Sequence, residues 1–150
     1  MRPAAGRTLA QTYCSVVGLV LLLIGALGFI SDGSFGSATD GRGELLGFDV
    51  NGWHNVVHIV SGLVLLALRG EAARARAATL AFGVLYGVVA IWGFVTGDSV
   101  LGIVAVDQAD NWLHVALSAL ALLSAAASPA ASYEDPDATR TRLTIYDPAG

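Results

Sequence analysis

The sequence predicts an all-α protein, an integral membrane four-helix bundle made of two repeated helical hairpins. Three observations predict it. Four long stretches contain no Asp, Glu, Lys or Arg, charge is scarce along the whole chain, and one polar pattern is written twice. Residues of the AVILMFWYC set make up 55% of the chain, charged residues 13%, and the mean hydropathy is +0.65. A soluble domain carries about 25% charged residues. Half that value, with the charges confined between apolar stretches, is the composition of a chain that lives in lipid.

The first uncharged stretch, about 9–30, ends at Ser31-Asp32-Gly33, and the second, about 52–68, stops at Arg69. The third, about 77–96, ends at Gly97-Asp98, and the fourth, about 111–128, is closed by Pro129. Roughly 20 residues at 1.5 Å rise cover a ~30 Å hydrocarbon layer, so each stretch is long enough to span. Residues 9–128 thus form a four-helix transmembrane domain. Residues 1–8 form a cytoplasmic N-terminus and 129–150 a flexible cytoplasmic tail, polar around Glu134, Asp135, Pro136 and Asp137. Leu143-Thr144-Ile145-Tyr146 is the one apolar patch in that tail on which a partner would order it.

Orientation follows from the arginines, since the chain has no lysine. Arg2 and Arg7 precede the first stretch, Arg69, Arg74 and Arg76 crowd the loop between the second and third, and Arg140 and Arg142 lie in the tail. The opposite side holds Arg42 against Asp32, Asp40, Glu44, Asp49, Asp98, Asp107 and Asp110. The positive-inside rule then puts both termini in the cytoplasm of a multi-pass membrane protein. A cleaved signal peptide is the rival reading of the first stretch. Its apolar run is long for that role, and no A-x-A site follows Gly28-Phe29-Ile30.

The duplication is explicit in Asn51-x3-Asn55-x2-His58-x3-Gly62 and Asp107-x3-Asn111-x2-His114-x3-Ser118. Gly28-Phe29-Ile30-Ser31 and Gly93-Phe94-Val95-Thr96 match in the same way, as do Gly18 and Gly83. Parallel repeats of this kind are related by an axis along the membrane normal. Gly83-x3-Gly87 suits close helix approach, and Gly62, Ser118, Ala121 and Ala125 are expected to bring the second and fourth helices together. Trp53, Trp92 and Trp112 fall where an outer aromatic belt would lie.

Asp49-Val50-Asn51-x2-His54-Asn55-x2-His58-x3-Gly62 and Asp110-Asn111-Trp112-Leu113-His114 resemble the bacterial four-span membrane family called domain of unknown function 4383. The resemblance covers roughly residues 8–128. It implies a four-helix membrane protein and carries no activity, cofactor or catalytic residue with it.

Polar side chains inside lipid need partners, and the repeated ones admit four roles. The first is structural. Asn51, Asn55, His58, Asp107, Asn111 and His114 would form polar clasps between the second and fourth helices of a non-enzymatic scaffold or accessory subunit, with no cofactor, in contact with the bilayer, a second copy or a membrane protein partner. The second is haem b, with His58 and His114 as axial ligands. The third is a divalent metal held by His54, His58 and His114, since His54 and His58 are spaced i, i+4, with Asp107 or Asp110 nearby. The fourth, a transporter or channel component, lacks acidic or basic residues within the spans. Counting from the inner ends puts His58 about 16 Å and His114 about 22 Å deep, so the rings would meet only after a shift or tilt. Scattered arginines exclude a nucleic-acid surface, Cys14 alone excludes a cysteine cage, and no phosphate loop or nucleophile elbow is present.

Overall fold

A computed structural model describes residues 6–129 other than 39 and 41. Most of the expected tail, 130–150, and residues 1–5 lie outside the described residues, Arg2, Arg140 and Arg142 among them. Four helices run in sequence: α1 (Leu9–Ser31), α2 (Gly52–Leu68), α3 (Ala72–Thr96) and α4 (Gln108–Ala126). Each loop at one end carries a short antiparallel ribbon, β1 (Gly43–Leu45) with β2 (Phe48–Val50), and β3 (Ser99–Val100) with β4 (Val104–Ala105). The strands are too short to show a two-residue alternation in sequence, which is why an all-helical reading passes over them.

The helix starts are written in side chains. Thr8 and Gln11 form a reciprocal capping box on α1, each side chain taking the other's backbone N–H. Asn51 Oδ1 accepts from His54 N at 3.0 Å, and Asp107 Oδ1 from Asp110 N at 2.8 Å. The first residue of each copy of the polar pattern is therefore an N-cap, not a position on the helix face. α3 starts at Ala72, ahead of its uncharged stretch, because Ala72-Ala73-Arg74-Ala75 favours helix regardless of charge.

α1 packs chiefly on α2, and α3 on α4. Glycines set how close they come. A Cβ at Gly62 would sit 2.6 Å from Gly18 O, and one at Gly83 would sit 2.9 Å from Leu122. Ser118 Oγ donates to Gly83 O at 2.7 Å, binding α4 to α3. This corrects the expectation for the small residues: Gly62 faces α1 and Ser118 and Ala121 face α3, so neither draws α2 onto α4. The close contacts fall to the helices joined by the long, ribbon-bearing loops, while α2 and α3, joined by residues 69–71 alone, touch far less. α2 and α4 meet only through longer side chains, described below.

At the end away from the ribbons the hairpins lock together. Cys14 Sγ lies 3.2 Å from Thr79 Oγ1, Ala10 N donates to Ser128 Oγ at 2.9 Å, and Thr79 Oγ1 donates to Ala10 O at 3.4 Å. Tyr13, Phe82 and Tyr86 then stack along the middle of the bundle, with Phe82 and Tyr86 centroids 3.9 Å apart.

The burial pattern is inverted relative to a water-soluble bundle. Asn51, His54, Asn55, Thr79, Asp110, Asn111 and His114 are buried, while Leu19, Leu23, Leu63, Val84, Ile91 and Leu123 are exposed. α1 and α3 are long and apolar enough to cross a bilayer, whereas α2, equally uncharged, has 17 residues.

Candidate metal centre

His54 and His58 stand one turn apart on α2, and His114 reaches them from α4. One nitrogen from each ring lies within 4.8 Å of the other two, and all three rings are buried. Both His58 and His114 follow their N-cap by seven residues, Asn51 to His58 and Asp107 to His114. Measured from the capped ends the rings are level, and their centroids lie 6.3 Å apart. Counting from the inner ends misplaced them because α2 stops at Leu68 while α4 and its following turn run on past the partner helix.

The hydrogen bonds fix much of the ring chemistry. His54 Nδ1 faces Ala105 O at 2.7 Å, and a carbonyl only accepts, so Nδ1 carries the proton. His54 Nε2 is then a lone pair, 3.2 Å from His58 Nε2. Two nitrogens bound to one tetrahedral zinc at 2.0–2.1 Å lie about 3.3–3.4 Å apart, so the observed edge fits a shared ion with little movement. His58 Nδ1 and His114 Nδ1 are buried without a hydrogen-bond partner. Asp110 occupies on α4 the place His54 holds on α2, one turn before the second histidine. Its Oδ1 lies 3.5 Å from His114 Nε2, while Oδ2 lies 3.9 Å from His54 Nδ1 and has no hydrogen-bond partner. Among the described residues, no arginine lies within ion-pair distance of this carboxylate; the nitrogens nearest to it are those of His114 and His54. A buried carboxylate beside three imidazoles is a place where a cation is stabilising.

The loops hold this wall by a cross-exchange. Asn51 Nδ2 donates to Ile103 O at 2.6 Å, and its Oδ1 also receives Ala105 N at 3.4 Å. In return Asp107 Oδ2 receives Asp49 N at 2.7 Å. Each helix cap thus binds the loop of the other hairpin, and Asn51 fixes the strand whose carbonyl orients His54. Outside this layer Arg42 bridges Asp49 at 2.9 Å and Asp98 at 3.5 Å, one from each loop. The hydrogen bond to Asp49 pushes the Arg42 pKa up.

Of the six expected clasp residues, His58 and His114 face across α2 and α4, and Asn51 and Asp107 clasp loops. Asn55 turns the other way, its Nδ2 donating to Asp32 O of the α1 end at 2.8 Å while its amide fills the space over Gly28. Asn111 packs over Gly93 of α3 in the same manner. The asparagines therefore join helices within a hairpin. Asp110 was expected only as an accessory to the histidines; its place in the repeat, opposite His54, was the signal that sets it in the wall.

Two apolar clefts flank the histidines. One, about 300 Å³, lies between α1 and α4 beneath the β1–β2 ribbon, with His54, His58, Asp110 and His114 in its wall. The other, about 240 Å³, lies between α2 and α3 beneath β3–β4, with the same three histidines but no carboxylate.

The family model described as Domain of unknown function (DUF4383) matches residues 11–127. The chain belongs to that family. The match covers α1 from residue 11 onward, the other three helices and both ribbons, so the histidine wall lies wholly within the DUF4383 region. Comparison with curated proteins and with solved structures returns no match. The chemistry of this DUF4383 chain is therefore read from its own residues.

Proposed function

We propose that this chain is a four-span protein of the bacterial plasma membrane, with both termini cytoplasmic, that holds one divalent transition-metal ion between two tandem hairpins. His54, His58 and His114 supply the nitrogens, and Asp110 orients His114 and offsets the ion's charge. The observation that carries the reading is the convergence of three buried imidazoles from two hairpins on one point. The duplication is supported by the matched pairs Asn55 on Gly28 and Asn111 on Gly93, and by the reciprocal loop bonds of Asn51 and Asp107. The membrane reading is supported by aliphatic side chains outside and amides, imidazoles and a carboxylate inside. At 1.5 Å per residue, the 17 residues of α2 cover about 26 Å, close to the hydrocarbon thickness.

A small ion suits the site better than haem. His54 Nε2 lies 3.2 Å from His58 Nε2, in the space a porphyrin would need beside an axial His58. A scaffold without cofactor is the simpler reading, and it leaves His58 Nδ1, His114 Nδ1 and Asp110 Oδ2 buried and unpartnered.

The test is elemental analysis of protein purified in detergent without chelator, together with its visible spectrum. One equivalent of zinc or another first-row metal is expected, lost in His58→Ala and in His114→Ala. A wild-type protein that neither retains nor takes up metal removes the proposal, and a haem band abolished by the same substitutions would replace it. Four spans are checked by thiol labelling in a Cys14→Ser background, where Gly47→Cys should react from outside the cell and Gly70→Cys only from inside.

A further inference from the structure

We infer that the cleft between α1 and α4 is the binding site for a lipid-soluble molecule with a hydroxyl head, seated with that head on the histidine and Asp110 wall. The inference rests on the metal reading, which leaves the ion a coordination position that the three imidazoles do not fill. The cleft has the make-up of a small-molecule site: apolar walls with a few polar groups gathered at one place. Val17 and Ile24 of α1 and Leu113 and Leu117 of α4 line its sides. At its polar wall stand His58 and Asp110, each more than nine-tenths buried and each with a polar atom that has no partner. Such atoms are costly in a dry cavity until a ligand or ion meets them.

Asp110 selects this cleft over its counterpart. The α2–α3 cleft shares the histidines and offers the unpartnered Tyr86 hydroxyl where the α1–α4 cleft has a carboxylate, so the stronger acceptor for a head that donates a proton lies on the α1–α4 side. A hydroxyl oxygen has lone pairs for the ion and a proton for Asp110 Oδ2. At about 30 Å³ for a water-sized group, 300 Å³ holds roughly ten such groups, which matches a medium-length aliphatic alcohol. Both cleft mouths carry an exposed leucine in a left-handed turn, Leu101 with φ 57° on the α2–α3 side and Leu46 here, so this feature serves entry and does not choose between the clefts. Leu46, at the tip of the β1–β2 ribbon, lines the cleft with φ 57°, a left-handed conformation that leucine rarely adopts, and is 82% exposed. Asn or Gly would be the relaxed choice in that turn. Leucine there places an apolar side chain where an entering hydrocarbon passes.

The probe is a photoreactive decanol incorporated with the full-length protein into lipid nanodiscs, with crosslinks mapped by mass spectrometry and the metal content of the same sample measured. Labelling should concentrate on Val17 to Ile24 and Leu113 to Leu117. Excess decanol should suppress it at least tenfold, decane should not, and Leu117→Trp should abolish it with metal retained. Labelling spread over all lipid-facing helix surfaces, or equal competition by decane, overturns the inference. Metal-loaded protein with dispersed labelling removes the cleft site alone. Metal-free protein with focused, decanol-specific labelling removes the metal site alone.

Discussion

Replacing Gly28 by alanine sets two effects of opposite sign against each other. In a helix interior alanine is favoured over glycine by about 0.8–1 kcal/mol, so local propensity alone predicts a more stable protein. A Cβ at Gly28, however, would overlap the Asn55 amide, which donates to Asp32 O at 2.8 Å. Moving that amide loses an interhelical hydrogen bond, about 0.6–1.7 kcal/mol in membranes, and overpacks the contact by about 1–3 kcal/mol. The sum is a net destabilisation of about 1–4 kcal/mol. It is measured as the unfolding midpoint in mixed detergent and dodecyl sulfate micelles, as a cycle with Asn55→Ala. With the amide gone, Gly28→Ala should become neutral or stabilising, because the three atoms nearest to the new methyl all belong to that amide. Gly93→Ala tests the second hairpin and should cost less, since Asn111 Oδ1 has no hydrogen bond to lose. Stabilisation by Gly28→Ala in the wild-type background, or an equal cost with and without Asn55, would refute the packing argument.

The histidine wall sets three further outcomes. Free zinc at a hundredfold excess over its Kd should raise the unfolding free energy by about 2.7 kcal/mol, and His58→Ala should remove that gain; an equal gain in the variant would place the ion elsewhere. Asn51→Ala should lose about 1 kcal/mol as a cap and weaken zinc binding about 10–100-fold, because Ala105 O no longer holds His54. Asn51→Asp keeps the cap but sets a buried carboxylate oxygen against Ile103 O in place of the donated hydrogen bond, so calorimetry should find both its zinc affinity and its stability reduced.

Much of the architecture was legible in the chain. Charge-free stretches between turn residues mark helices because each side chain's hydrophobicity is its own property. The repeated pattern likewise singled out His58 and His114, the i, i+4 spacing to His58 added His54, and the structure gathers all three. What the pattern could not give was the direction each polar group faces. Asn55 and His58 are three residues apart, yet one reaches Asp32 O on α1 and the other meets His54 and His114. That difference comes from how far each helix is rotated about its axis, which depends on its neighbours and not on its own residues. Asn51 and Asp107 read as face residues because a cap and a face position share the same four-residue spacing.

The sequence by itself determined the number and order of the helices, the ends rich in arginine and in acid, and which polar residues stand among apolar ones. Hydropathy and charge act residue by residue, so a linear reading recovers them. Only the tertiary structure decided that α1 pairs with α2 and α3 with α4 through glycine contacts, that the caps exchange loops, and that Asp110 completes a wall between two clefts. Those features are distances between groups far apart in the chain, and they are fixed when all four helices pack at once.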